Sequence, residues 1–305
     1  MKTKTDKKTL VVLTGPTAVG KTATSLTLAQ ALNTEIISAD ARQFYRELTI
    51  GTAAPTQQER TAIKHHFAGH LSIFDYYNVS LFEKQAMALL TDLFTRKDFV
   101  LVSGGSGLYL DALCYGIDDL PDIPLEIRTK VKRMYQEKGI AYLKEVLKDA
   151  DPDYYEEVDT ANPNRMMRGI EIYLATGKKF STLRKKQSVQ RPFQIKKVIL
   201  NRPRQELFQR INERTKQMVE NGVIEEALNF YPQRNLNALN TVGYKELFAW
   251  LGNRCSLHHA IKDIKTNTRR YAKRQLTWFK KYEGAKWFLP SETGSILRFI
   301  RETEE

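Results

Sequence analysis

Short apolar runs alternate with longer helix-favouring segments through the first part of the chain. The runs LVVL (10–13), EIISAD (35–40) and FVLVSGG (99–105) are separated by segments such as the one from Thr22 to about Leu32. Buried parallel strands have near-continuous apolar sequences, and the helices between them cover both faces of the sheet. The pattern therefore predicts an α/β fold with a parallel sheet over residues 1–117.

The pattern changes at DDLPDIP (118–124), where prolines and aspartates interrupt the alternation. A long stretch of polar, helix-favouring residues follows, and QIKKVIL (194–200) has strand character again. We predict that residues 118–193 form a helical insertion that splits the α/β core. The core then comprises residues 1–117 and 194–305, with helices at its C-terminal end.

Positive charge is concentrated in two stretches of the chain. The 305 residues include 48 Lys and Arg against 35 Asp and Glu, a net charge of +13. Residues 177–192 contain basic side chains and no acid, and the helical segment at about 257–282 is also strongly basic. Clustered cations favour a polyanionic partner such as nucleic acid. In the second stretch we expect Tyr271 and Trp278 to belong to the core, and the following cations to face phosphate: Arg270, Lys273 and Arg274.

Other sequence features exclude whole classes of protein. No apolar run reaches the roughly 18 residues that a membrane span needs, and the N-terminus does not resemble a signal peptide. Cys114 and Cys255 lie far apart, without His or Cys neighbours at metal-ligand spacing, which argues against zinc and against a disulfide framework. We expect a cytoplasmic protein that acts as a monomer.

A phosphate-binding loop follows the first apolar run. GPTAVGKT matches the P-loop pattern between a strand and a helix and comprises eight residues: Gly15, Pro16, Thr17, Ala18, Val19, Gly20, Lys21 and Thr22. The glycines let backbone amides point into the loop, and the lysine supplies a charge for phosphate oxygens. We expect the hydroxyl of Thr22 to bind Mg²⁺.

A nucleotide hydrolase normally has an acidic residue at the end of a second buried strand, where it helps to hold the metal ion. In this chain the acid follows a different strand. FVLVSGGSGLYL has no acid at its end, whereas EIISAD ends in Asp40. Asp40 is either a metal ligand or a general base close to the phosphates. A hydroxyl at Ser106 is placed to orient a leaving group or an attacking amine. Spacing alone leaves the roles of both residues open.

Five motifs resemble the signatures of bacterial tRNA dimethylallyltransferases, the IPP transferase family. They follow one another in family order and together span most of the chain: SADARQFYRELTIGTAAP (38–55), GGSGLYL (104–110), NRMMRGIEIY (164–173), TVGYKEL (241–247) and TRRYAKRQLTWF (268–279). The resemblance implies a P-loop nucleotide-fold core with a parallel sheet, interrupted by a helical tRNA-binding insertion.

The resemblance also implies a reaction. A dimethylallyl group is transferred from dimethylallyl diphosphate to N6 of an adenosine next to the tRNA anticodon, and diphosphate is released. The P-loop then holds the leaving group with Mg²⁺, and Asp40 corresponds to the general base at the adenine amine. Ser106 stands where the family commonly has threonine, so the hydroxyl is kept.

Residues of four motifs and one further arginine are implied as tRNA contacts. They are Asp40, Ala41, Arg42, Gln43, Ser106, Arg128, Asn164, Arg165, Met166, Met167, Arg168, Thr241, Gly243, Tyr244 and Lys245. Arg165 and Arg168 have a second interpretation as an exposed helical face. Arg210 and Arg214, four apart on the helix after the strand 194–200, lie either over the diphosphate or in surface salt bridges.

The chain departs from the family pattern near Asp40. Ala41 replaces a serine, Ala54 replaces a lysine, and residues 47–49 (ELT) replace the more usual GMD. These changes remove a hydroxyl and a cation and bear on rate or substrate preference. Three other readings remain: a small-molecule P-loop kinase, a transferase for free adenine nucleotides, and an inactive RNA-binding protein. The helical insertion argues against the first two, and intact Lys21 and Asp40 against the third.

Overall fold

The computed structural model describes residues 8–185 and 188–302. The charged N-terminal residues 1–7 and two members of the basic stretch, Lys186 and Gln187, lie outside the described residues. The chain divides into two compact units: residues up to Tyr115 together with those from Gln190 onwards, and Gly116–Val189.

The larger unit is built on one sheet of six parallel strands, in the order β3-β2-β4-β1-β5-β6. The strands are β1 (Thr9–Thr14), β2 (Ile36–Ser38), β3 (His65–His66), β4 (Phe99–Gly104), β5 (Gln194–Leu200) and β6 (Lys286–Phe288). The predicted α/β fold with a parallel sheet is confirmed, although the strand expected at 35–40 ends at Ser38, so that Asp40 lies in the following loop.

Thirteen α-helices accompany the strands in the described part of the chain. They are α1 (Lys21–Ala31), α2 (Gln57–Ala62), α3 (Val79–Arg96), α4 (Gly107–Tyr115), α5 (Leu125–Ala150), α6 (Pro152–Glu157), α7 (Pro163–Thr176), α8 (Phe180–Leu183), α9 (Arg204–Glu220), α10 (Val223–Asn229), α11 (Tyr244–Leu251), α12 (Leu257–Phe279) and α13 (Thr293–Arg301). Helices α5 to α8 belong to the smaller unit, and α5 is interrupted at Gly139, where φ is 74°. In the described part of the chain, no helix combines the length and apolar character needed to cross a membrane.

Alternate residues of β1 point to two separate apolar layers. Leu10 and Val12 pack with α3 and α4, whereas Val11 and Leu13 pack with α1 and α13. All four side chains are fully buried. A strand that is covered on both faces explains why its sequence is apolar throughout rather than alternating.

The boundary after the insertion lies earlier than the sequence indicated. Arg191 donates hydrogen bonds to the carbonyls of Ala112 and Leu113, and Phe193 packs in the apolar layer of α3 and α4. These contacts attach residues 190–193, which were predicted to close the insertion, to the larger unit.

The smaller unit has its own helical core. Leu143, Leu147, Met166 and Ile170 are fully buried in it. The side chain of Met166 is wholly buried and packs between α5 and α7. It therefore cannot contact RNA, and the implied tRNA contact is wrong for this side chain. Its neighbour Arg165 is exposed.

We expect Met166→Ala to lower the free energy of unfolding by about 2–5 kcal/mol, because it leaves a cavity in the core of the smaller unit. Arg165→Ala, one residue away on the exposed face, should change it by less than about 0.5 kcal/mol. Urea unfolding followed by circular dichroism measures both. Equal effects of the two substitutions would contradict this placement of Met166.

Candidate active site

The P-loop connects the end of β1 to the start of α1. Lys21 is the first residue of α1, and its Nζ donates to the carbonyl oxygens of Gly15 (2.9 Å) and Pro16 (3.0 Å). A Cβ on Gly15 would lie 2.5 Å from the carbonyl oxygen of Leu200, so only glycine lets the loop pass β5. Ala18 has φ 64°, a left-handed conformation that costs a non-glycine residue energy and is typical of functional loops.

Three arginines hold the loop from outside. The Nε atoms of Arg202 and Arg210 donate to the carbonyls of Val19 (2.7 Å) and Ala18 (2.8 Å). Arg214 donates from Nη1 to the hydroxyl of Thr17 at 3.2 Å. Of the two interpretations of Arg210 and Arg214, the contacts place both at the P-loop. Arg202 was not identified from the sequence, because its neighbours give no sign of this contact.

Lys21 has an altered proton affinity. The pKa of Lys21 is lowered to about 8: burial is the main cause, the carboxylate of Asp40 opposes it, and the positive charge of Arg214 adds to the lowering. The ammonium is therefore charged at neutral pH and loses its proton in mildly alkaline solution.

Asp40 and Ser106 lie on neighbouring loops at the carboxyl ends of β2 and β4. The Oγ of Ser106 accepts a hydrogen bond from the backbone N–H of Ala41 at 2.9 Å, and its own N–H donates to the carbonyl of Ala39 at 3.2 Å. Asp40 accepts from the N–H of Arg42 at 3.1 Å. Ser106 thus holds the backbone at Ala39 and Ala41, on both sides of Asp40. This interaction does not involve the side chain at position 41, where the family usually has a serine.

A cavity of about 370 Å³ opens beside Asp40, and we call it the acceptor cavity. Members of four predicted groups line it, together with one residue of α9 and two of α12: Thr17, Asp40, Ala41, Arg42, Ser106, Arg214, Thr241, Lys245, Tyr271 and Arg274. The expectation that Tyr271 belongs to the core is wrong, because its half-buried ring faces this cavity. Burial raises the pKa of Tyr271, and the nearby carboxylate of Asp40 adds to the effect.

The cations of α12 divide between two cavities. Arg274 lines the acceptor cavity, whereas Arg270 and Lys273 line a larger, mainly apolar cavity of about 840 Å³ that adjoins β6. Neither Asp40 nor any P-loop residue lines the larger cavity. We therefore assign the chemistry to the acceptor cavity.

Two residues implied as tRNA contacts hold neighbouring loops. Arg42 donates to the carbonyl oxygens of Asn237 (2.8 Å), Ala238 (3.3 Å) and Asn240 (3.2 Å). The side-chain amide of Gln43 donates to the carbonyls of residues 52 and 53. Both side chains donate hydrogen bonds to backbone carbonyls in the walls of the site. Their first role is therefore to shape the site.

A buried carboxylate, Glu226, organises the loop at residues 49–51. It accepts hydrogen bonds from the N–H groups of Thr49 (3.0 Å), Ile50 (3.0 Å) and Gly51 (2.8 Å), and from the hydroxyl of Tyr244 (2.6 Å). The neighbouring departures from the family pattern also have structural partners: Leu48 is fully buried, and Glu47 accepts bonds from Ser72 and Ile73.

The hydrogen bond to Glu226 corrects the implied role of Tyr244. Its side chain is fully buried at the start of α11, and burial and Glu226 raise its pKa. The implied tRNA contact is therefore wrong for this side chain. Gly243 is also buried, and its N–H donates to Glu246 at 2.8 Å, whereas Lys245 is exposed.

The smaller unit presents the remaining implied tRNA residues near the start of α7. Asn164 and Arg165 are exposed, and Met167 is partly buried. Arg168 lies 3.9 Å from Glu171, and burial raises the pKa of Glu171 while Arg168 and Arg128 lower it. The two arginines therefore flank one acid of this unit.

A small cavity of about 40 Å³ lies between the P-loop and the end of β4. Oxygen-bearing side chains line it, among them Thr22, Ser38, Asp40 and Ser103. Within residues 8–185 and 188–302, no cluster of three His, Cys, Asp or Glu side chains is placed to hold a metal ion. A hydroxyl and one carboxylate fit Mg²⁺, which commonly takes the rest of its ligands from water and phosphate oxygens.

We expect the affinity for inorganic diphosphate to fall as the pH rises through about 8, by up to tenfold per pH unit, because Lys21 is charged below its pKa and neutral above it. Lys21→Arg keeps its charge and should lack this decline. Isothermal titration between about pH 7 and pH 9.5 compares the two proteins. A parallel decline in both would assign the effect to the ionisation of the ligand.

Comparisons with known proteins show the family of this chain. The model of the IPP transferase family matches residues 43–282. The tRNA dimethylallyltransferase 1 of Bacteroides thetaiotaomicron is 46% identical over 293 residues, 96% of this chain and 95% of that protein. The solved full-length tRNA isopentenylpyrophosphate transferase of Bacillus halodurans aligns with a TM-score of 0.70 and 33% identity, over 96% of this chain and 97% of that one. A eukaryotic dimethylallyltransferase acting on tRNA aligns with a TM-score of 0.72 and 29% identity, over 89% of this chain and 70% of that one. This chain therefore belongs to the IPP transferase family.

Proposed function

We propose that the protein transfers a dimethylallyl group from dimethylallyl diphosphate to N6 of an adenosine next to the anticodon of tRNA. The observation that carries the proposal is the position of Asp40, which lines both the acceptor cavity and the small cavity beside the P-loop. A base at that position reaches an amine on one side while the diphosphate lies on the other. Membership of the IPP transferase family supports the same reaction.

The P-loop is suited to a leaving group. As the allylic C–O bond breaks, negative charge builds on the diphosphate, and transition-state stabilisation depends on donors fixed in advance. Lys21, the N-terminus of α1 and the guanidinium of Arg214 supply positive charge at this place. No nucleoside triphosphate is consumed in this scheme.

The acceptor cavity is suited to a single base. The adenine N6 attacks the allylic carbon, its proton passes to Asp40, and the electrons of the C–O bond leave with the diphosphate. A base in an anticodon loop must leave its stack to reach such a site. The Tyr271 ring and the Arg274 guanidinium border the cavity and offer it stacking and positive charge.

Mg²⁺ belongs to the proposal as the cation of the diphosphate. The hydroxyl of Thr22 borders the small cavity beside the P-loop and would hold the ion there. A bound Mg²⁺ would neutralise charge on the phosphate oxygens. The proton transfer from N6 remains the task of Asp40.

The proposed partners are the tRNA anticodon stem-loop and dimethylallyl diphosphate, bound by a monomer. Exposed cations on both units support RNA as the larger partner, with Lys245 and Arg274 on one and Arg165 on the other. The contacts of Arg42 and Gln43 with neighbouring loops support an acceptor cavity that is shaped before RNA binds.

Incubation with labelled dimethylallyl diphosphate, Mg²⁺ and bulk tRNA, followed by digestion, identifies the labelled nucleoside. We expect N6-dimethylallyladenosine, with release of diphosphate. Magnesium-dependent ATP binding without binding of dimethylallyl diphosphate would favour a P-loop kinase instead. Labelling of free adenine nucleotides but not of tRNA would favour the transferase for small acceptors.

Asp40→Ala should lower turnover by about two to four orders of magnitude, the range for loss of a general base. We expect tRNA affinity to stay within about threefold, because Arg165, Lys245 and Arg274 remain. Single-turnover transfer and filter binding measure the two quantities. Unchanged turnover would remove Asp40 from the mechanism.

Tyr244→Phe and Lys245→Ala form a matched pair at adjacent positions. Tyr244→Phe removes a donor from the buried Glu226, so it should lower the free energy of unfolding by about 1–3 kcal/mol and leave tRNA affinity unchanged. Lys245→Ala should leave stability unchanged and reduce the slope of log affinity against log salt by about one. Thermal unfolding and salt-dependent filter binding test the pair, and the reverse assignment would contradict the burial of Tyr244.

A further inference from the structure

A buried glutamine on α12 touches the two loops that carry the proposed chemistry. Gln275 is only 5% exposed. Its Oε1 accepts a hydrogen bond from the backbone N–H of Thr17 in the P-loop at 2.9 Å, and its Nε2 donates to the carbonyl of Gly105 at 2.8 Å. One neutral side chain thus satisfies a donor on the first loop and an acceptor on the second.

The second loop passes this connection on to Asp40. Ser106 follows Gly105 directly, and its Oγ accepts from the N–H of Ala41 at 2.9 Å. Three hydrogen bonds and one short backbone segment, residues 105–106, therefore connect the P-loop to Ala41, the residue next to the proposed base.

The space around this connection is closely filled. A Cβ on Gly105 would lie 2.3 Å from the Nε2 of Gln275 and 3.7 Å from the Nζ of Lys21. A glycine at position 105 is therefore required for the amide to reach the carbonyl. Gly105 and Gln275 therefore depend on each other for this hydrogen bond, although they lie 170 positions apart in the chain.

We propose that Gln275 is a positioning residue for the prenyl transfer, which fixes the separation between the diphosphate held by the P-loop and the carboxylate of Asp40. The inference rests on the proposed function. Attack at an allylic carbon needs the amine, the carbon and the leaving oxygen aligned, and a displacement of about 1 Å costs on the order of 100-fold in rate. Gln275 touches no reacting atom and acts through Thr17 and Gly105.

Gln275→Met retains the approximate length and volume of the side chain and removes both hydrogen bonds. We expect kcat for prenyl transfer to fall about 10- to 100-fold. The KM for tRNA should stay within about threefold of wild type, because the cations that bind RNA are untouched. Steady-state kinetics, with the folded fraction determined by thermal unfolding, separate this loss from simple destabilisation.

Asn267→Ala is the matched structural control on the same helix. Asn267 donates to the side chain of Glu246 at 2.7 Å and contacts neither loop. We expect this substitution to lower the melting temperature and leave kcat per folded molecule unchanged. If Gln275→Met behaved in the same way, its role would be structural only and the proposal would be overturned.

A double-mutant cycle with Gly105→Ala gives an independent test. The added methyl group displaces the amide of Gln275, so the single variant should show a similar loss of kcat, and the double variant should be no slower than the slower single one. Multiplicative losses would overturn the proposal. If wild type transferred no label to tRNA, the proposed function and this inference would both fail, whereas an active wild type with fully active Gln275→Met would reject the inference alone.

Discussion

The level at which the central strands end determines where the chemistry lies. Thr14 of β1 pairs with Gly104 of β4, and the hydroxyl of Thr14 donates to the carbonyl of Gly104 at 2.8 Å. Ser38 of β2 pairs with Ser103 of β4. Because three adjacent parallel strands end together, the P-loop, the Asp40 loop and the Ser106 turn leave the sheet side by side. A change of register in any of them would separate phosphate-binding and proton-accepting groups.

Polar side chains that reach distant parts of the chain then convert this adjacency into a defined site. Glu226 holds residues 49–51, Arg42 holds the loop at 237–240, and Gln275 joins two of the central loops. All three bind backbone groups, and those bound by the buried Glu226 and Gln275 would otherwise be unsatisfied in a low-dielectric interior. The site therefore depends on long-range hydrogen bonds as much as on the residues that face substrate.

Local motifs were predictable from the sequence, and long-range contacts were not. The P-loop and the segment from β2 to Asp40 are each encoded within a few residues. This is because the strand and the loop that follows it are consecutive in the sequence. Helical periodicity separates Tyr271 and Arg274 from Arg270, but which face of α12 meets the acceptor cavity depends on packing against α9. The burial of Tyr244 depends on Glu226. No local pattern could reveal these partners.

The bracing of the P-loop has a consequence for the order in which the chain becomes competent. The loop is made early in synthesis, yet Arg202 and Gln275, which hold Val19 and Thr17, follow 183 and 258 positions later. A nascent chain that has exposed only the first strands and helices therefore has a phosphate loop without its supports. Activity should emerge late in translation, once α12 has left the ribosome and docked against the sheet.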